Sequence, residues 1–302
     1  MEVTQAGSAG FCFGVARAVK LAEELVEHAA RPRMLGSVIH NRHVTAALEA
    51  RGMQVISYPE EARPGDSVLL RAHGAGREIF RVLEEQGARI VDATCPKVAR
   101  VQRIVAEAEQ AGRQPVMIGD PDHPEVRGVG GWCGRLLVFS GPEETSKWAE
   151  SPAAAGVSAL TVVAQTTLRR EVWEDSLKIL KKECTNLKIF DTICDATHTR
   201  QSEAALLAAK VDAMVVVGDP KSANTMHLTE ICRKQCARVF QIESADELRA
   251  GALSGCSRVG LTAGASTPAS IIKEVKKTMS EEKIQGEGME NFAELESSIP
   301  IL

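Results

Sequence analysis

The chain has 302 residues, of which 44% are hydrophobic and 25% are charged, and its net charge is −4. This length allows two or three domains of ordinary size with real hydrophobic cores. The charge and the lack of a basic stripe argue against a nucleic-acid-binding protein. No apolar run reaches the roughly 18 residues that a membrane helix needs, and no secretory signal is recognisable. We therefore expect a cytoplasmic protein with no nucleic-acid or membrane partner.

Predicted strands and helices alternate along the chain. Short runs rich in Val, Ile and Leu predict strands at residues 3–6, 34–38, 67–70, 89–92, 115–118, 136–139, 160–164, 187–190, 213–217, 238–242 and 259–262. Helical patterns lie at residues 15–28, 44–51, 78–86, 98–111, 169–183, 202–210 and 228–235, and a last helix begins at Pro268. Continuous apolar strands between helices indicate parallel sheets that are covered on both faces. The predicted fold class is therefore α/β.

The number of predicted strands favours several small units over one large open sheet. Cys95 and Cys194 each stand between a strand and a new helix, so we place the domain breaks there. The predicted units are residues 1–95, 96–193 and 194–279. A Glu- and Gly-rich tail at 280–302 is expected to be loosely ordered.

Polar residues cluster directly after the predicted strands, which is where open α/β sheets bind their ligands. The six loops are His40-Asn41, Arg71-Ala-His73-Gly74, Asp122-His123-Pro-Glu125, Gln165-Thr-Thr167, Lys221-Ser222-Ala-Asn224 and Ala263-Gly-Ala-Ser266-Thr-Pro268. Taken singly, most of these residues are better explained as helix N-caps or turns. Six such loops together suggest that several units face one shared cavity.

Three cysteines, Cys12, Cys95 and Cys194, share a position between a strand end and a helix start. A helix N-terminus stabilises a thiolate, which is the form that binds metals. Three isolated thiolates suit an iron–sulfur cluster in which one iron lacks a cysteine ligand and can bind substrate.

The other five cysteines have a simpler interpretation. A buried cysteine usually acts as a small hydrophobic residue, and we apply this to Cys133, Cys184 and Cys256. Cys232 and Cys236 are four residues apart on a predicted helix and could share a metal, but packing is the favoured interpretation.

Eight segments in order resemble one known family, the IspH/LytB family of 4-hydroxy-3-methylbut-2-enyl diphosphate reductases. They are Gly10-Phe-Cys12-Phe-Gly14, His40-Asn41, Ala72-His73-Gly74, Ala93-Thr-Cys95-Pro96, His123-Pro-Glu125, Gln165-Thr-Thr167, Cys194 to Gln201 and Thr262 to Ser266. Any one segment is a weak match, but the ordered set is specific and covers the chain from Met1 to about Thr278.

The resemblance implies a trefoil of three small α/β units around a central [4Fe–4S] cluster. It also implies reductive dehydroxylation of 4-hydroxy-3-methylbut-2-enyl diphosphate to isopentenyl and dimethylallyl diphosphates. This is the last step of the methylerythritol phosphate pathway, with the substrate hydroxyl bound to the unique iron. The implied electron donor is a ferredoxin or a flavodoxin.

The same resemblance implies roles for individual residues. Cys12, Cys95 and Cys194 match the metal ligands. Glu125 matches the proton donor and is assisted by Thr166 and His123. The implied substrate-binding residues are His40, His73, His123, Thr166, Thr167, Ser222, Asn224 and Ser266.

Two departures from the family pattern leave alternatives open. Ala223 stands where the family commonly has a second serine, and Asp219 brings a carboxylate close to the expected diphosphate. The chain could therefore be a paralogue with a shifted substrate, or a cluster-bearing redox sensor. A zinc-dependent hydrolase of a phosphorylated substrate is a third hypothesis, which the apparent absence of a His/Asp-rich ligand set disfavours. Glu125 together with Thr166 favours turnover over sensing.

Overall fold

The computed structural model describes residues 1–280, which alternate between short strands and helices. The strands are Glu2–Gln5 (β1), Pro32–Leu35 (β2), Gln54–Ile56 (β3), Ser67–Leu70 (β4), Arg89–Asp92 (β5), Gln114–Ile118 (β6), Leu137–Phe139 (β7), Leu160–Ala164 (β8), Leu187–Ile189 (β9), Ala213–Val217 (β10), Val239–Ile242 (β11) and Arg258–Ala263 (β12). The α-helices are Phe13–His28 (α1), Arg42–Ala50 (α2), Arg77–Glu85 (α3), Pro96–Gln110 (α4), Pro124–Gly130 (α5), Pro142–Ala149 (α6), Pro152–Ala155 (α7), Arg170–Glu183 (α8), Asp195–Ala208 (α9) and Ala223–Gln235 (α10). Residues 269–280 are also helical. Within residues 1–280, no helix is both long enough and apolar enough to cross a membrane.

The described strands form three four-stranded sheets, and every strand pair is parallel. The strand order is β3-β2-β4-β5 in the first sheet, β7-β6-β8-β9 in the second and β1-β12-β10-β11 in the third. The predicted α/β class with several small parallel sheets is confirmed.

The central strands are buried because helices cover both faces of each sheet. In β6, Val116 and Ile118 pack in the same cluster as Trp173 of α8. Met117, between them in sequence, packs in the cluster that contains Val101 of α4. Successive residues of a strand point to opposite faces, so both faces must be apolar. The continuous Val/Ile/Leu runs in the sequence follow from this packing.

The predictions missed the shortest and most polar elements. β3 has only three residues, and α5 contains two glycines, which lower its helical propensity. Helices α9 and α10 begin at Asp195 and Ala223, several residues before the predicted starts. Their first turns are polar, so the hydrophobic periodicity that predicts a helix appears only later in each.

The chain divides into two compact units, Cys12–His198 and Met1–Phe11 with Thr199–Leu302. Strand β1 pairs with β12, with Glu2 opposite Arg258, so it belongs to the third sheet. The strands of the first sheet thus begin at Pro32, although the expected first unit began at residue 1. Apart from Ser280, the expected C-terminal tail lies outside the described residues.

Candidate active site

The three cysteines singled out in the sequence all lie at helix N-termini. Cys12 is the N-cap of α1, Cys95 is the N-cap of α4, and Cys194 directly precedes α9. All three are free and partly exposed, and all belong to the unit Cys12–His198. Each thiol therefore lies beside the partial positive charge of a helix N-terminus.

Backbone hydrogen bonds hold Cys95 and Cys194 next to two of the polar loops. The amide of Cys95 donates to the carbonyl of Ala72, beside His73, over 2.9 Å. The amide of Cys194 donates to the carbonyl of Thr166, also over 2.9 Å. The cysteines are therefore held next to two of the loops that were predicted to bind substrate.

A glycine allows the close approach of two of these segments. A Cβ atom added to Gly14 of α1 would lie 2.6 Å from the Sγ atom of Cys95. This is shorter than any real carbon–sulfur contact between non-bonded atoms, so a side chain at this position would displace the thiol.

The pKa of Cys95 depends on its burial and on the two other cysteines. Burial raises the pKa of Cys95, and the nearby thiols of Cys12 and Cys194 raise it further, while the amides of Lys97 and Val98 act in the opposite direction. Ionising three neighbouring thiols together requires a compensating positive charge. A bound metal group supplies such a charge.

Three histidines from three different loops form a second cluster in the same unit. The ring centroids of His40 and His73 are 4.8 Å apart, those of His73 and His123 are 5.5 Å apart, and those of His40 and His123 are 6.3 Å apart. One nitrogen from each ring lies within 4.8 Å of the other two, which is close enough for a shared ligand.

The existence of this cluster corrects one premise of the sequence argument. The described residues contain a group of three histidines, so the predicted lack of such a group is no longer a reason to disfavour zinc. The hydrogen bonding of His123 supplies a better reason. Its Nδ1 atom accepts the backbone N–H of Glu125 over 3.1 Å, so in the neutral ring the proton lies on Nε2. A metal ion needs a lone pair at Nε2, whereas an anion is bound by the N–H. His123 therefore fits a phosphate group better than a zinc ion.

Burial lowers the pKa of His73 well below its usual value, and the neighbouring His40, His123 and Arg71 lower it further. Without a bound anion His73 is neutral at pH 7. Phosphate oxygens nearby would reverse the electrostatic part of this effect, so anion binding is expected to take up protons.

Glu125 and Thr166 form a buried pair between α5 and the loop after β8. Oε1 of Glu125 accepts the amide of Thr166 over 2.7 Å, and Oε2 accepts its hydroxyl over 2.6 Å. Burial raises the pKa of Glu125 to about 7, although the two bonds from Thr166 act to lower it. A carboxyl group that exchanges its proton near neutral pH is suited to general acid catalysis.

Gln165 is a residue of this site that the predicted set omitted. Its Oε1 atom accepts the amide of Asp120 over 2.9 Å, and its Nε2 atom donates to the hydroxyl of Thr167 over 2.8 Å. These bonds connect the loop after β6 with the loop that contains Thr166. The sequence motif contained Gln165, but a residue type alone does not reveal a bridge between loops 45 positions apart.

Three further predicted residues lie in the other unit, at the start of α10 and after β12. Ser222, Asn224 and Ser266 are all buried. The Nδ2 atom of Asn224 and the hydroxyl of Ser266 have no hydrogen-bond partner among residues 1–280. Unsatisfied buried polar atoms are costly unless a ligand or water binds them. This is consistent with their predicted role in substrate binding.

Ser222 and Asp219 each form a hydrogen bond with a nearby backbone amide in that loop. The hydroxyl of Ser222 accepts the amide of Thr225 over 3.5 Å and so caps α10. The carboxylate of Asp219 accepts the amide of Lys221 over 2.7 Å, which closes a turn. This bond fixes the orientation of the Asp219 side chain but does not neutralise the carboxylate, so it does not remove the expected repulsion of a diphosphate.

The cysteines interpreted as packing residues have the expected surroundings. Cys232 and Cys236 lie in a hydrophobic cluster with Met214 and Leu228. Burial raises the pKa of Cys232 to about 12, and the thiol of Cys236 adds to the shift. Such a thiol stays protonated and is a poor metal ligand.

The profile of the LytB protein family matches residues 3–280. The chain belongs to this family. Among the curated proteins, the 4-hydroxy-3-methylbut-2-enyl diphosphate reductase of Caldanaerobacter subterraneus subsp. tengcongensis is 42% identical over 280 residues, which are 91% of this chain and 95% of that protein. The reductase of Desulfovibrio desulfuricans is 39% identical over 288 residues, which are 93% of this chain and 99% of that protein. The family predicted from the sequence motifs is confirmed.

Two solved structures are similar to this LytB-family chain. One is (E)-4-hydroxy-3-methyl-but-2-enyl diphosphate reductase, the terminal enzyme of the non-mevalonate pathway, with 35% identity and a TM-score of 0.69 over 93% of this chain and 99% of that one. The other is the E-1-hydroxy-2-methyl-but-2-enyl-4-diphosphate reductase of Plasmodium falciparum, with a TM-score of 0.84 over 91% of this chain and 87% of that one. The second is 24% identical and supports the fold alone.

Proposed function

We propose that this LytB-family chain reduces 4-hydroxy-3-methylbut-2-enyl diphosphate to isopentenyl and dimethylallyl diphosphates, the last step of the methylerythritol phosphate pathway. Two electrons and two protons enter, the allylic C–O bond breaks and water leaves. The observation that carries this proposal is the buried Glu125–Thr166 pair, which lies directly beside His123. It places an acid with a pKa near 7 next to a group of anion-binding histidines.

We assign a [4Fe–4S] cluster to Cys12, Cys95 and Cys194. Three free, partly exposed thiols at helix N-termini fit this group, and Gly14 leaves the space that Cys95 needs. When bound, such a cluster supplies single-electron transfer and an iron without a cysteine ligand, which acts as a Lewis acid.

Glu125 is assigned the proton that leaves with the substrate hydroxyl. Thr166 fixes the carboxyl group through both oxygen atoms, so that its orientation is set before substrate binds. His123, with its proton on Nε2, donates a hydrogen bond towards substrate. These are positioning and proton-holding roles that do not require a rearrangement of the protein.

Diphosphate binding is assigned to six donors. His40, His73 and Thr167 belong to one compact unit, and Ser222, Asn224 and Ser266 belong to the other. That all of them contact one substrate molecule stays a prediction.

The electrons are assigned to an external one-electron carrier, a ferredoxin or a flavodoxin.

We place the protein in the cytoplasm. All eight cysteines lie within the described residues and all are free thiols, as is usual in that reducing compartment.

The test is an anaerobic assay of the protein loaded with iron and sulfide. Iron and sulfide are measured per chain, and then 4-hydroxy-3-methylbut-2-enyl diphosphate is added with reduced methyl viologen. Formation of isopentenyl and dimethylallyl diphosphates is the expected result. A loaded protein that binds this substrate without product would indicate a sensor. A loaded protein that neither binds nor converts this substrate would indicate a paralogue with another substrate. One zinc ion per chain in place of iron would indicate a hydrolase.

A further inference from the structure

The first turns of three helices meet around the cysteines. Gly14 of α1 contacts Cys95 at the start of α4, and Arg17 of α1 donates to the carbonyl oxygens of Asp92 and Thr94, each over 3.2 Å. Lys97 of α4 and Asp195 of α9 form an ion pair of 2.7 Å. Phe13, Pro96 and Asp195, the residues that directly follow Cys12, Cys95 and Cys194, are all exposed.

An aromatic side chain is exposed at the first of these positions. Phe13 directly follows Cys12 and is 74% exposed, more than any other large hydrophobic side chain among the described residues. Ala16 is exposed one helical turn after Phe13 on α1. Pro96 and Ala99 are exposed in the first turn of α4, directly after Cys95. Single exposed apolar residues are common, so Phe13 alone would mean little. Its exposure gains significance because Cys12 precedes it and Gly14, which follows it, contacts Cys95.

The charged residues at the edge of this apolar area leave an excess of positive charge. Lys97 is paired with Asp195, Lys20 of α1 lies 3.7 Å from Glu24, and Arg103 lies 3.9 Å from Glu107. Arg100 lies on the exposed side of α4 and has no ion-pair partner among residues 1–280. The positive ends of the three helices add to the potential here. An acidic partner would therefore be attracted to this place.

We propose that Phe13, Ala16, Pro96, Lys97, Ala99 and Arg100 form the docking surface for an acidic one-electron carrier protein. We name these six residues the Phe13 surface. The inference rests on the proposed function, because that reaction needs electrons delivered one at a time to a cluster held by the adjacent thiols. The carrier's reduced cofactor is oxidised by one electron per encounter and the cluster is reduced by one. Two encounters supply the two electrons of each turnover.

The composition of the Phe13 surface, an exposed aromatic residue beside cationic side chains, agrees with this kind of partner. Redox partners form weak, short-lived complexes with small interfaces, in which a few apolar contacts lie inside a charged rim. Phe13 would supply the central apolar contact, and Arg100 would steer the acidic carrier. Steering of this type weakens as salt is added, because ions screen the charges.

The experiment uses the cluster-loaded enzyme and an acidic flavodoxin as the probe. The variants are Phe13→Ala and Arg100→Glu. The matched controls are Tyr58→Ala, an aromatic residue that is 68% exposed elsewhere, and Arg135→Glu, an exposed arginine in the loop before β7. Flavodoxin binding is measured directly at low and high salt. Product formation is measured both with reduced flavodoxin and with reduced methyl viologen, which needs no docking surface.

We expect both variants to weaken flavodoxin binding at low salt, and to lower the flavodoxin-dependent kcat/KM, by about tenfold. The rate with methyl viologen should stay within about twofold of wild type, and both controls should match wild type. Unchanged flavodoxin binding in both variants would overturn the proposal, as would an equal loss in the controls or a parallel loss with methyl viologen. If the wild-type enzyme makes no product with methyl viologen, the proposed function fails, and the binding measurement still decides whether this surface holds the carrier.

Discussion

Thr166 holds both oxygen atoms of the Glu125 carboxyl group, one through its backbone amide and one through its hydroxyl. Both bonds favour the charged carboxylate, while burial favours the neutral acid. Burial is the larger effect, and the resulting pKa is about 7. The pair therefore keeps a proton available at neutral pH and fixes the orientation of the carboxyl group.

Replacing Glu125 with Gln should abolish most turnover. The amide has nearly the same shape and can still accept from Thr166, but it cannot donate a proton to the leaving hydroxyl. General acid catalysis typically contributes about 10² to 10⁴ in rate, so kcat should fall within that range while substrate affinity is kept. Single-turnover product formation and substrate binding by calorimetry, both on cluster-loaded protein, measure the two quantities. Turnover close to wild type would remove Glu125 from its assigned role.

Replacing Thr166 with Val should shift the pH dependence of the reaction. The hydroxyl lowers the pKa of Glu125, so its loss should raise that pKa further. Since the acid must be protonated to act, the decline of kcat/KM with rising pH should move to higher pH. Thr166→Ser keeps the hydroxyl and is the matched control, for which we expect the wild-type profile. A decline that stays in place or moves to lower pH in Thr166→Val would contradict the assigned contact.

The same carboxyl group should make stability depend on pH. The folded-state pKa of Glu125 is raised from 4.5 to about 7, so folding favours its protonated form. Its contribution is fully present below pH 4.5 and is lost as pH rises through 7. At roughly 1.4 kcal/mol per pKa unit the loss approaches about 3 kcal/mol.

Urea unfolding at pH 5 and pH 8 tests this dependence. Glu125→Gln, which carries no charge at either pH, should lose less free energy of unfolding between the two than wild type does. Glu143→Gln is the control. A hydrogen bond from Lys147 lowers the pKa of the exposed Glu143, so the contribution of Glu143 to stability grows as pH rises, opposite to that of Glu125. Equal pH dependence in wild type and Glu125→Gln would show that the carboxyl group is not desolvated as the structure indicates.

The sequence could predict the parts of this site that depend on local pattern. Cys12 and Cys95 were found because the change from an apolar strand to a helical pattern marks a helix N-terminus. Burial on both faces gives continuous apolar runs, which predicted the parallel sheets. These features are encoded within about ten neighbouring residues.

The contacts that give the site its chemistry join distant parts of the chain. Glu125 and Thr166 are 41 positions apart, and the three histidines come from separate loops. No local pattern predicts which of these residues are in contact. The polar loops suggested only a shared cavity, and the individual roles came from the family resemblance. Strand β1 shows the same limit, because its partner β12 lies about 255 positions away in sequence. The proton position on His123 depends on a single hydrogen bond, which only coordinates reveal.

Replacing Cys194 with Ser should remove or destabilise the cluster. A serine hydroxyl is a much weaker ligand than a thiolate, and the other two thiolates cannot compensate. Iron and sulfide per chain should fall well below wild type, with a changed visible spectrum. Cys184→Ser is the control, since Cys184 lies at the end of α8, where burial raises its pKa. An intact spectrum in Cys194→Ser would remove this residue from the ligand set.

Replacing Gly14 with Ala tests whether Cys95 must lie as close to α1 as the structure shows. The added methyl group would lie 2.6 Å from Sγ of Cys95 and 3.1 Å from its Cβ, so Cys95 or α1 must move. Because cluster ligands must keep fixed distances, we expect iron and sulfide content to fall and the oxygen sensitivity of the remaining cluster to rise. The fold itself should persist, because one displaced helix turn costs roughly 1–3 kcal/mol. Gly156→Ala is the matched control, since no atom lies within 4 Å of the position that its Cβ would take. Full cluster content in Gly14→Ala with an unchanged spectrum would mean that Cys95 binds iron in a different position from the one it occupies here.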